Sequence, residues 1–248
     1  MMNQIKTPDE ITAIRESGHM LAAVLQYLEL KTVPGITTGE LDRLAAAELK
    51  LLGGKPAFLG YEGFPAVICI SVNEEVVHGI PGKRVLAAGD IVGLDFGVTY
   101  GGMITDGAIT IPVGTVSSDA TRLMTATREA LDIGIAEVRV GARLGDIAHA
   151  IETRLRADKL GVIEDLSGHG VGHQVHEDPL VLNYGPAGRG MRLKAGMTIA
   201  IEPMATLGTH DIIQADDGWT ILSADGSLGS QHEHTVLVLA DGAEILTV

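Results

Sequence analysis

The chain has 248 residues, and its 32 acidic and 18 basic side chains leave a formal net charge of −14. With 46% apolar residues it is too apolar to be disordered and long enough for one large domain, while no apolar stretch approaches the roughly 18 residues that cross a bilayer. The acidic balance disfavours binding to nucleic-acid phosphates unless a local basic patch exists, and the sequence indicates none. Its excess of carboxylates points to cation binding, or to no more than a solubilising acidic surface.

Two helices are predicted early in the chain, each from a capping box. Thr7, Pro8 and Glu10 begin the first, which runs to about residue 30. Thr37 and Glu40 begin the second, which a glycine pair ends. The remaining predicted elements, in chain order, are strands at 66–72, 90–96 and 103–111, helices at 118–138 and 144–160, and strands at 197–201, 219–222 and 233–239.

The order of helix, helix and strands occurs twice, in halves of about 1–115 and 116–248. Asp95 follows an Ala-Gly pair by six residues, and Glu202 follows another Ala-Gly pair at the same spacing. His78 and His176 each stand three residues before a proline. We therefore expect two related α/β halves around a pseudo-twofold axis, with acids and histidines of both halves meeting at the centre.

Asp95 and Asp106 flank a glycine-rich turn. A two-residue turn at Tyr100-Gly101 would place them directly opposite each other, with Cβ atoms roughly 4.5 to 5.5 Å apart. Like charges at that distance repel unless a cation lies between them. A different register would separate the two aspartates, and both could also be solvated surface acids.

Further candidate ligands follow in the second half. His169 and His173 have the spacing of a helical zinc pair, but the glycines between them argue against a helix. We expect His169, in a glycine-rich turn, to be a ligand and His173 to be a supporting or surface residue. Glu202 ends an apolar strand, where an unpaired carboxylate is costly to bury. Glu233 begins a strand between two histidines, which alternation sends to the opposite face.

Four carboxylates and one histidine form an oxygen-rich set suited to manganese, iron, cobalt or zinc. This set has more ligands than one tetrahedral zinc needs, so we predict two divalent ions, which together generate a hydroxide nucleophile. The sequence has neither a GxSxG elbow nor a phosphate-binding P-loop, and Cys69 lies in an apolar strand where a buried thiol is expected. The chemistry implied is metal-dependent hydrolysis. The predicted metal ligands are Asp95, Asp106, His169, Glu202 and Glu233.

In this order and spacing the five residues resemble the ligand set of the type I, bacterial-style methionine aminopeptidases. The resemblance covers essentially the whole chain and includes the segments GYEGFP (60–65), CISVNE (69–74), HGIP (78–81), GDIV (89–92), 169–176 and DGWT (217–220). It implies the pita-bread fold of the α+β class, with an antiparallel sheet in a single catalytic domain. It also implies removal of the N-terminal methionine from peptides or nascent chains whose second residue is small.

The resemblance implies a role for each ligand. Asp106 and Glu233 would bridge the two ions, Asp95 would chelate one, and His169 with Glu202 would hold the other. Glu202 would also take the proton of the bridging water.

Two histidines and an apolar pocket receive roles from the same resemblance. His176 would hydrogen-bond the scissile carbonyl as its oxyanion forms, and His78 would contact the scissile amide nitrogen. The pocket for the methionine side chain would be formed by Phe58, Tyr61, Phe64, Cys69 and Trp219.

The chain departs from the family pattern without losing a ligand. Leu166 and Val175 stand where the pattern has an aromatic or methionine, Phe58 replaces a cysteine, and His232 replaces an aromatic. Segment 103–105 and Gly107, beside the bridging aspartate, also differ from it. We expect these departures to gather around the pocket and to bear on specificity rather than on catalytic competence.

Two other functions remain open at this point. One is an X-Pro-type or otherwise altered-specificity aminopeptidase of the same fold, although such enzymes usually carry an extra N-terminal domain for which there is no room before Thr7. The other is a non-catalytic binding protein of this fold, although such proteins typically lose metal ligands.

The expected partners are peptide or nascent-chain N-termini, with at most transient contact with the ribosome. Neither nucleic acid nor a membrane is expected as a partner, and a monomer is expected. A single cysteine and the lack of an apolar run in residues 1–10 predict a cytoplasmic protein.

Overall fold

The computed structural model describes residues 5–248, so part of segment 1–10, which supports the prediction of a cytoplasmic protein, lies outside the described residues. Its helices are α1 (Pro8–Lys31), α2 (Thr38–Leu52), α3 (Ser118–Ala136) and α4 (Leu144–Ala157), and a short 3₁₀ turn spans Tyr61–Gly63. Its strands are β1 (Lys55–Pro56), β2 (Cys69–Val72), β3 (Glu75–Val77), β4 (Ile91–Tyr100), β5 (Met103–Pro112), β6 (Gly161–Val162), β7 (Gly168–Gly170), β8 (Glu177–Val181), β9 (Thr198–Ile201), β10 (Met204–Thr206), β11 (Ile212–Gln214), β12 (Ile221–Ser223), β13 (Gly229–Gln231), β14 (Glu233–Leu239) and β15 (Gly242–Ile245).

Both predicted capping boxes are present. The Thr7 amide donates to Glu10 Oε2 at 2.7 Å, and the Glu10 amide donates back to the Thr7 hydroxyl at 3.3 Å. Thr37 and Glu40 make the same exchange at the start of α2, which ends at Gly53 with φ 87°. A left-handed residue ends a helix at little cost when it is glycine. No helix in the described part of the chain is long and apolar enough to cross a membrane.

A nine-stranded antiparallel sheet organises the fold. Its strand order is β1-β4-β5-β14-β9-β7-β8, with β2 also on β4 and β15 also on β14. Helices α1 and α2 share an aliphatic core with the strands of the first half, and α3 and α4 share another with those of the second. Two strand pairs, β4-β5 and β9-β14, thus meet at the middle of the sheet. The acids carried by these four strands meet there.

The β4-β5 hairpin corrects one sequence prediction. Its turn is at Gly101-Gly102, with φ 58° and 83°, and not at Tyr100-Gly101. Two consecutive positive φ angles are what a type I′ hairpin turn requires, and glycine adopts them without strain. The register therefore pairs Asp95 with Ala108 and Asp106 with Gly97. Because the pairing moves by two positions, both aspartates stay on the same face, as diagonal rather than direct neighbours.

Other strand predictions need smaller corrections. The strand predicted at 66–72 begins only at Cys69, and the one predicted at 219–222 is β12, displaced towards the C-terminus. Strand β12 also belongs to a separate three-stranded sheet with β3 and β11, and a third small sheet joins β13, β10 and β6. Strands of two or three residues carry too little pattern to be predicted from sequence.

The structure also brings together basic residues that lie far apart in the sequence, where no local basic patch is expected. Segments 137–146 and 185–196 run side by side, joined by main-chain hydrogen bonds such as Gly141 N to Leu193 O at 3.0 Å and Leu193 N to Ala142 O at 2.8 Å. This contact brings together five cations, which we call the basic ridge: Arg139, Arg143, Arg189, Arg192 and Lys194. They come from two distant segments, so no run of basic residues in the sequence marks them.

Candidate metal centre and active site

Five strand segments converge to bring the predicted ligands together. Asp95 lies on β4 and Asp106 on β5, while Glu233 begins β14 opposite Ala108, the residue that also pairs with Asp95. Glu202 directly follows β9, whose last residue pairs with β14. His169 is the middle residue of β7, on the other side of β9. The predicted set is thus assembled by sheet pairing rather than by any local motif.

Three of these residues come close enough to share one ion. Asp106, His169 and Glu233 each offer a ligand atom, and these atoms all lie within 4.8 Å of one another. His169 Nε2 also lies 3.4 Å from a Glu202 carboxylate oxygen and 3.9 Å from an Asp106 oxygen. All five predicted ligands are buried, with residue exposures between 2% and 8%.

The carboxylates of this group lack a Lys or Arg partner among residues 5–248. Asp95 Oδ1 and Glu233 Oε1 are buried without any hydrogen-bond partner among residues 5–248. Burial raises the pKa of Asp95 to about 7. Burial and the neighbouring carboxylates raise the pKa values of Asp106 and Glu233 well above the ordinary range, and burial with Asp95 does the same for the pKa of Glu202. An oxygen-rich cluster with orphaned, uncompensated oxygens fits divalent cations.

His169 is held with one ring nitrogen free for a metal. Its Nδ1 lies 2.9 Å from the Gly170 carbonyl, and because a carbonyl only accepts, Nδ1 is the protonated nitrogen. Burial lowers the pKa of His169 to about 3, so the ring is neutral near pH 7. The Nε2 lone pair therefore faces the carboxylates, which is the arrangement that a metal-binding histidine needs.

The segment around His169 is a strand, which corrects the prediction of a glycine-rich turn. A Cβ at Gly168 would collide with the Ala200 carbonyl on β9, and one at Gly170 would collide with the Asp178 carbonyl on β8. Glycine is required on both sides of His169 because β7 is squeezed between these two strands. The prediction that this segment is not a helix is confirmed.

Residues that the sequence did not point to support the acids. Gln231 Nε2 donates to Glu202 Oε2 at 3.1 Å. The Thr235 hydroxyl donates to the Asp106 carbonyl at 2.7 Å, and the Asp106 amide lies 2.9 Å from the same hydroxyl. No sequence signal distinguishes these polar residues from others, since their contacts arise from strand pairing.

An apolar wall adjoins the acids across a cavity of about 140 Å³. The ring of Phe64 packs edge-on against Trp219, with ring centroids 5.1 Å apart. Phe58 lies over the backbone of β4 at Gly97, where any Cβ would collide with its ring. The buried thiol of Cys69 lies in the same apolar cluster, and burial together with the neighbouring acids raises its pKa well above the ordinary value. This arrangement leaves Cys69 as a neutral part of the wall.

Two neutral histidines line the cavity beside the acids. Burial lowers the pKa of His78 to about 4 and also lowers the pKa of His176. His176 Nδ1 lies 2.9 Å from the Tyr61 hydroxyl, and its ring packs edge-on against His169, with centroids 4.4 Å apart. His78 adopts φ 60°, a strained conformation for a residue with a side chain, and such strain is common at functional positions.

Every residue predicted for the site borders this one cavity, as does Val175, and the structure adds Glu62 to its lining. Glu62 lies in the segment GYEGFP (60–65), but a charged residue type does not by itself predict a place in the lining of an apolar pocket. His173 lies elsewhere, at an exposed position, with Nε2 2.8 Å from a Glu10 oxygen. Its expected place outside the ligand set agrees with this geometry.

The departures from the family pattern do not all gather around the cavity. Phe58 and Val175 line it, whereas Leu166 borders an adjoining recess. His232 faces a separate cleft on the reverse side of the sheet, as strand alternation predicts, and Gly107 packs against Leu21. The expectation that these substitutions cluster at the pocket is therefore wrong for His232 and Gly107, because alternation turns them away.

Known proteins are similar to this chain in both sequence and architecture. The profile of metallopeptidase family M24 matches residues 12–240. The chain is 45% identical over 244 residues to the methionine aminopeptidase of Clostridium perfringens, covering 98% of both chains. The crystal structure of methionine aminopeptidase from Thermotoga maritima matches with a TM-score of 0.98 and 43% identity, covering 100% of this chain and 99% of that one.

A more distant match shows how widely the fold is shared. Prolidase from Pyrococcus furiosus matches with a TM-score of 0.81 at 23% identity, covering 98% of this chain and 65% of that one, a likeness of fold alone. The profile, the full-length relatives and the buried acid cluster agree with one another. The chain belongs to the methionine aminopeptidases of metallopeptidase family M24 and is a metal-dependent peptidase with the pita-bread fold.

Proposed function

We propose that this protein removes the N-terminal methionine from peptides whose second residue is small, using two divalent ions. The observation that carries the proposal is the pairing of four buried, uncompensated carboxylates with an apolar pocket on the same cavity. The first group suits cations, and the second suits an unbranched apolar side chain. Full-length similarity to methionine aminopeptidases supports the same activity.

The five ligands divide between the two ions. Asp106 and Glu233 would help to hold both ions, Asp95 would help to hold one, and His169 with Glu202 would hold the other. Divalent ions in such a site supply Lewis-acid polarisation of the scissile carbonyl and a water nucleophile at neutral pH. Cobalt, manganese, iron and zinc all suit this donor set.

The chain's own residues handle the protons and the developing charge. Glu202 accepts a proton from the attacking water and returns it to the leaving amine. His176 donates a hydrogen bond to the carbonyl oxygen as negative charge develops there. The contact with the Tyr61 hydroxyl supports this role, because it occupies Nδ1 and leaves Nε2 to face the substrate. His78 contacts the scissile amide nitrogen.

The apolar wall selects the methionine side chain. Phe58, Tyr61, Phe64 and Trp219 account for half of the eight aromatic residues in the chain, and Cys69 packs among them. Aromatic rings and a neutral thiol contact a thioether favourably. Specificity for methionine therefore rests on this wall.

The test uses two tripeptides and a defined metal content. Protein stripped with chelator and reloaded with manganese, cobalt, iron or zinc is incubated with Met-Ala-Ser and with Ala-Pro-Ala. We expect methionine release from the first only, and only after reloading. The proposal fails if no metal supports methionine release, or if release continues after metal removal. Ala-Pro-Ala cleavage would instead indicate an X-Pro-type enzyme.

The number of ions is tested separately. Titration of stripped protein with manganese, followed by calorimetry and by metal analysis of the washed protein, should give two ions per chain. A single ion at saturation, with full activity, would contradict the dinuclear site and leave the substrate proposal intact.

The remaining parts of this proposal concern the protein's surroundings. We place its activity in the cytoplasm, on peptide and nascent-chain N-termini, with transient contact with the ribosome and a monomeric state. The single buried cysteine supports a reducing compartment. Sedimentation of the purified chain tests the monomer, and co-sedimentation with ribosomes tests the contact.

A further inference from the structure

The basic ridge contrasts with the rest of a chain whose net charge is −14. Two carboxylates lie within its segments, and both are occupied. Glu137 pairs with Arg139 at 3.2 Å, and Asp146 accepts hydrogen bonds from the Gly188 and Arg143 amides. The ridge therefore keeps an excess of positive charge at the surface.

Three exposed ridge cations, Arg189, Arg192 and Lys194, form no ion pair with an acidic residue in the described part of the chain. Within residues 5–248 the side chains of Arg189 and Lys194 make neither an ion pair nor a hydrogen bond, and Arg192 donates only to the Gly141 carbonyl. Arg189 and Arg192 are exposed, as is Lys194. Their charge is available to an external anion.

An apolar cleft of about 250 Å³ lies beside the ridge. Leu180 and Leu182 line it with exposures of 63% and 38%, and Tyr184 with Ala148 of α4 completes the apolar lining. Arg189 borders the same cleft, and the Arg143 guanidinium donates to the carbonyl of the lining residue Gly190 at 2.7 Å. Positive charge from the basic ridge and apolar surface therefore adjoin in the same cleft.

One side of this cleft is an open sheet edge. Strand β8 is the last strand of the nine-stranded sheet and pairs with β7 alone among the described strands. Its residues alternate between buried and exposed, with Asp178 and Leu180 facing outwards. Pro179 in the middle of β8 has no N–H to donate, so an added strand would pair with the main-chain groups of the residues after it, while neighbouring pockets take alternate side chains.

We propose that the basic ridge and this cleft form a docking surface for an extended acidic segment of a partner protein, with leucine-sized side chains at alternate positions. The carboxylates of such a segment complement the three free cations. Its aliphatic side chains cover Leu180 and Leu182, and its backbone pairs with the edge of β8.

A peptide fits this surface better than nucleic acid or lipid. Single-stranded nucleic acids stack on aromatic side chains, whereas the cleft offers Tyr184 beside two leucines. Membrane surfaces are entered by protruding apolar groups, whereas Leu180 and Leu182 line a concavity. Charge complementarity together with an open strand edge selects the acidic, extended segment.

The test selects peptides against the complete protein. A displayed library of random 12-residue peptides is enriched on the wild-type chain, and enriched peptides are measured by fluorescence anisotropy at two salt concentrations. We expect acidic peptides with alternate aliphatic residues, which bind less tightly at high salt because exposed charges are screened. Absence of enrichment, or enrichment of neutral or basic peptides, overturns the proposal.

Matched variants locate the binding surface. Arg189→Glu/Arg192→Glu and Leu180→Ser/Leu182→Ser should each weaken peptide binding at least tenfold. Lys50→Glu/Lys83→Glu carries the same charge change on another exposed surface and should leave binding unchanged. All variants should release methionine from Met-Ala-Ser at the wild-type rate, which shows that they fold. Equal peptide binding by wild type and the ridge variant overturns the proposal.

Two further probes separate the competing occupants. A 12-nucleotide single-stranded RNA and vesicles containing phosphatidylserine are tested against the same variants. Loss of RNA or vesicle binding in the ridge variant, without selectable peptide binding, would reassign the surface to that ligand. A wild-type dimer that the ridge variant dissociates would reassign it to a second copy of this chain.

Discussion

Buried carboxylates occur in two regions of this protein, and the regions treat them differently. Glu177 is paired with Lys6 at 2.6 Å, with side-chain exposures of 2% and 0%, and its other oxygen accepts the His173 and Gln174 amides. The central cluster of Asp95, Asp106, Glu202 and Glu233 has no such cation from the described chain, and the pKa of every member is raised.

The presence or absence of a cation from the chain distinguishes a structural role for Glu177 from a binding role for the central cluster. A buried acid is tolerated when the chain itself supplies the cation and the hydrogen bonds. Four acids left without a cation have pKa values raised by burial and, for Asp106, Glu202 and Glu233, also by neighbouring carboxylates, so a cation from outside would stabilise their ionised forms. The Lys6–Glu177 pair is a closed structural element, while the cluster is a binding site. Substitutions in each region, and the pH dependence of stability, test this distinction.

Asp106→Ala breaks the cluster at the residue that contacts most of the others. We expect kcat/KM for Met-Ala-Ser to fall by more than about 100-fold, since even residues that only support metal ligands contribute about 10- to 100-fold. Metal analysis of the purified variant should show less than the wild-type content. The exposed acid Asp132, replaced by alanine, is the matched control. Wild-type activity and metal content in Asp106→Ala would contradict the assigned site.

Lys6→Met breaks the closed pair and leaves Glu177 buried without its cation. Such a loss destabilises a protein by about 3 to 5 kcal/mol, which urea unfolding of the metal-free protein can measure. Lys50→Met, at an exposed position, is the control and should change little. Lys6→Met/Glu177→Gln should recover part of the loss, because the orphaned charge is gone. In the central cluster, Asp106→Asn should instead stabilise the metal-free protein. A destabilised Asp106→Asn would erase the contrast between the two regions.

The stability of the metal-free protein should depend on pH in a way that reports the cluster. Asp95 has a raised pKa of about 7 against an ordinary value of 3.8, so its destabilising effect grows from about pH 4 and is complete above pH 7. His78, with a pKa lowered to about 4, loses its contribution as the pH falls below the ordinary value of 6.5. These two effects oppose each other between about pH 4 and 6.5, whereas above pH 6.5 only the carboxylates continue to lower the stability of the folded protein.

The fall in the stability of the metal-free protein above pH 6.5 is the informative part of this pH dependence. Between pH 6.5 and 8 only the carboxylates act, and we expect at least about 1 kcal/mol of lost stability, since one pKa unit corresponds to about 1.4 kcal/mol. Saturating manganese should abolish the decline, because the ion compensates the ionised acids. Urea midpoints across this range, with and without manganese, provide the measurement. An unchanged slope in manganese would argue against a cation site.

Arg15→Ala gives the smallest effect and sets the scale for the others. Arg15 and Glu244 form a bidentate pair at 2.7 Å, but their side chains are 40% and 33% exposed. Exposed pairs contribute about 0.2 to 1 kcal/mol, so the urea midpoint should move only slightly. A loss comparable with that of Lys6→Met would show that burial is not what separates the two pairs.

Local chemistry made several elements predictable. Thr7 and Thr37 cap α1 and α2 as their sequences predict, and Glu233 faces the opposite way from its neighbouring histidines because side chains alternate along β14. The face shared by Asp95 and Asp106 was also predictable, although the turn that sets their register was placed one residue too early. Because side chains alternate with a period of two, the two-position change in register left both aspartates on the predicted face.

Other features depended on contacts between distant segments. The three-residue strand β7 is too short to show a pattern, and its glycines were interpreted as a turn although β8 and β9 require them. Gln231 and Thr235 became relevant only through strand pairing. The basic ridge was not predictable from the sequence, because its cations lie in two segments about fifty residues apart. Main-chain hydrogen bonds bring these two segments together.

Helix caps, strand faces and the five candidate ligands were predictable without the structure, because they follow from short-range spacing and from residue chemistry. Tertiary structure decided which of these residues meet. It brought acids from four strands and His169 around one cavity, turned His232 away from it, and assembled the basic ridge. Antiparallel pairing joins residues that lie far apart in the chain, and their distances depend on register and turn geometry, which spacing in the sequence does not specify.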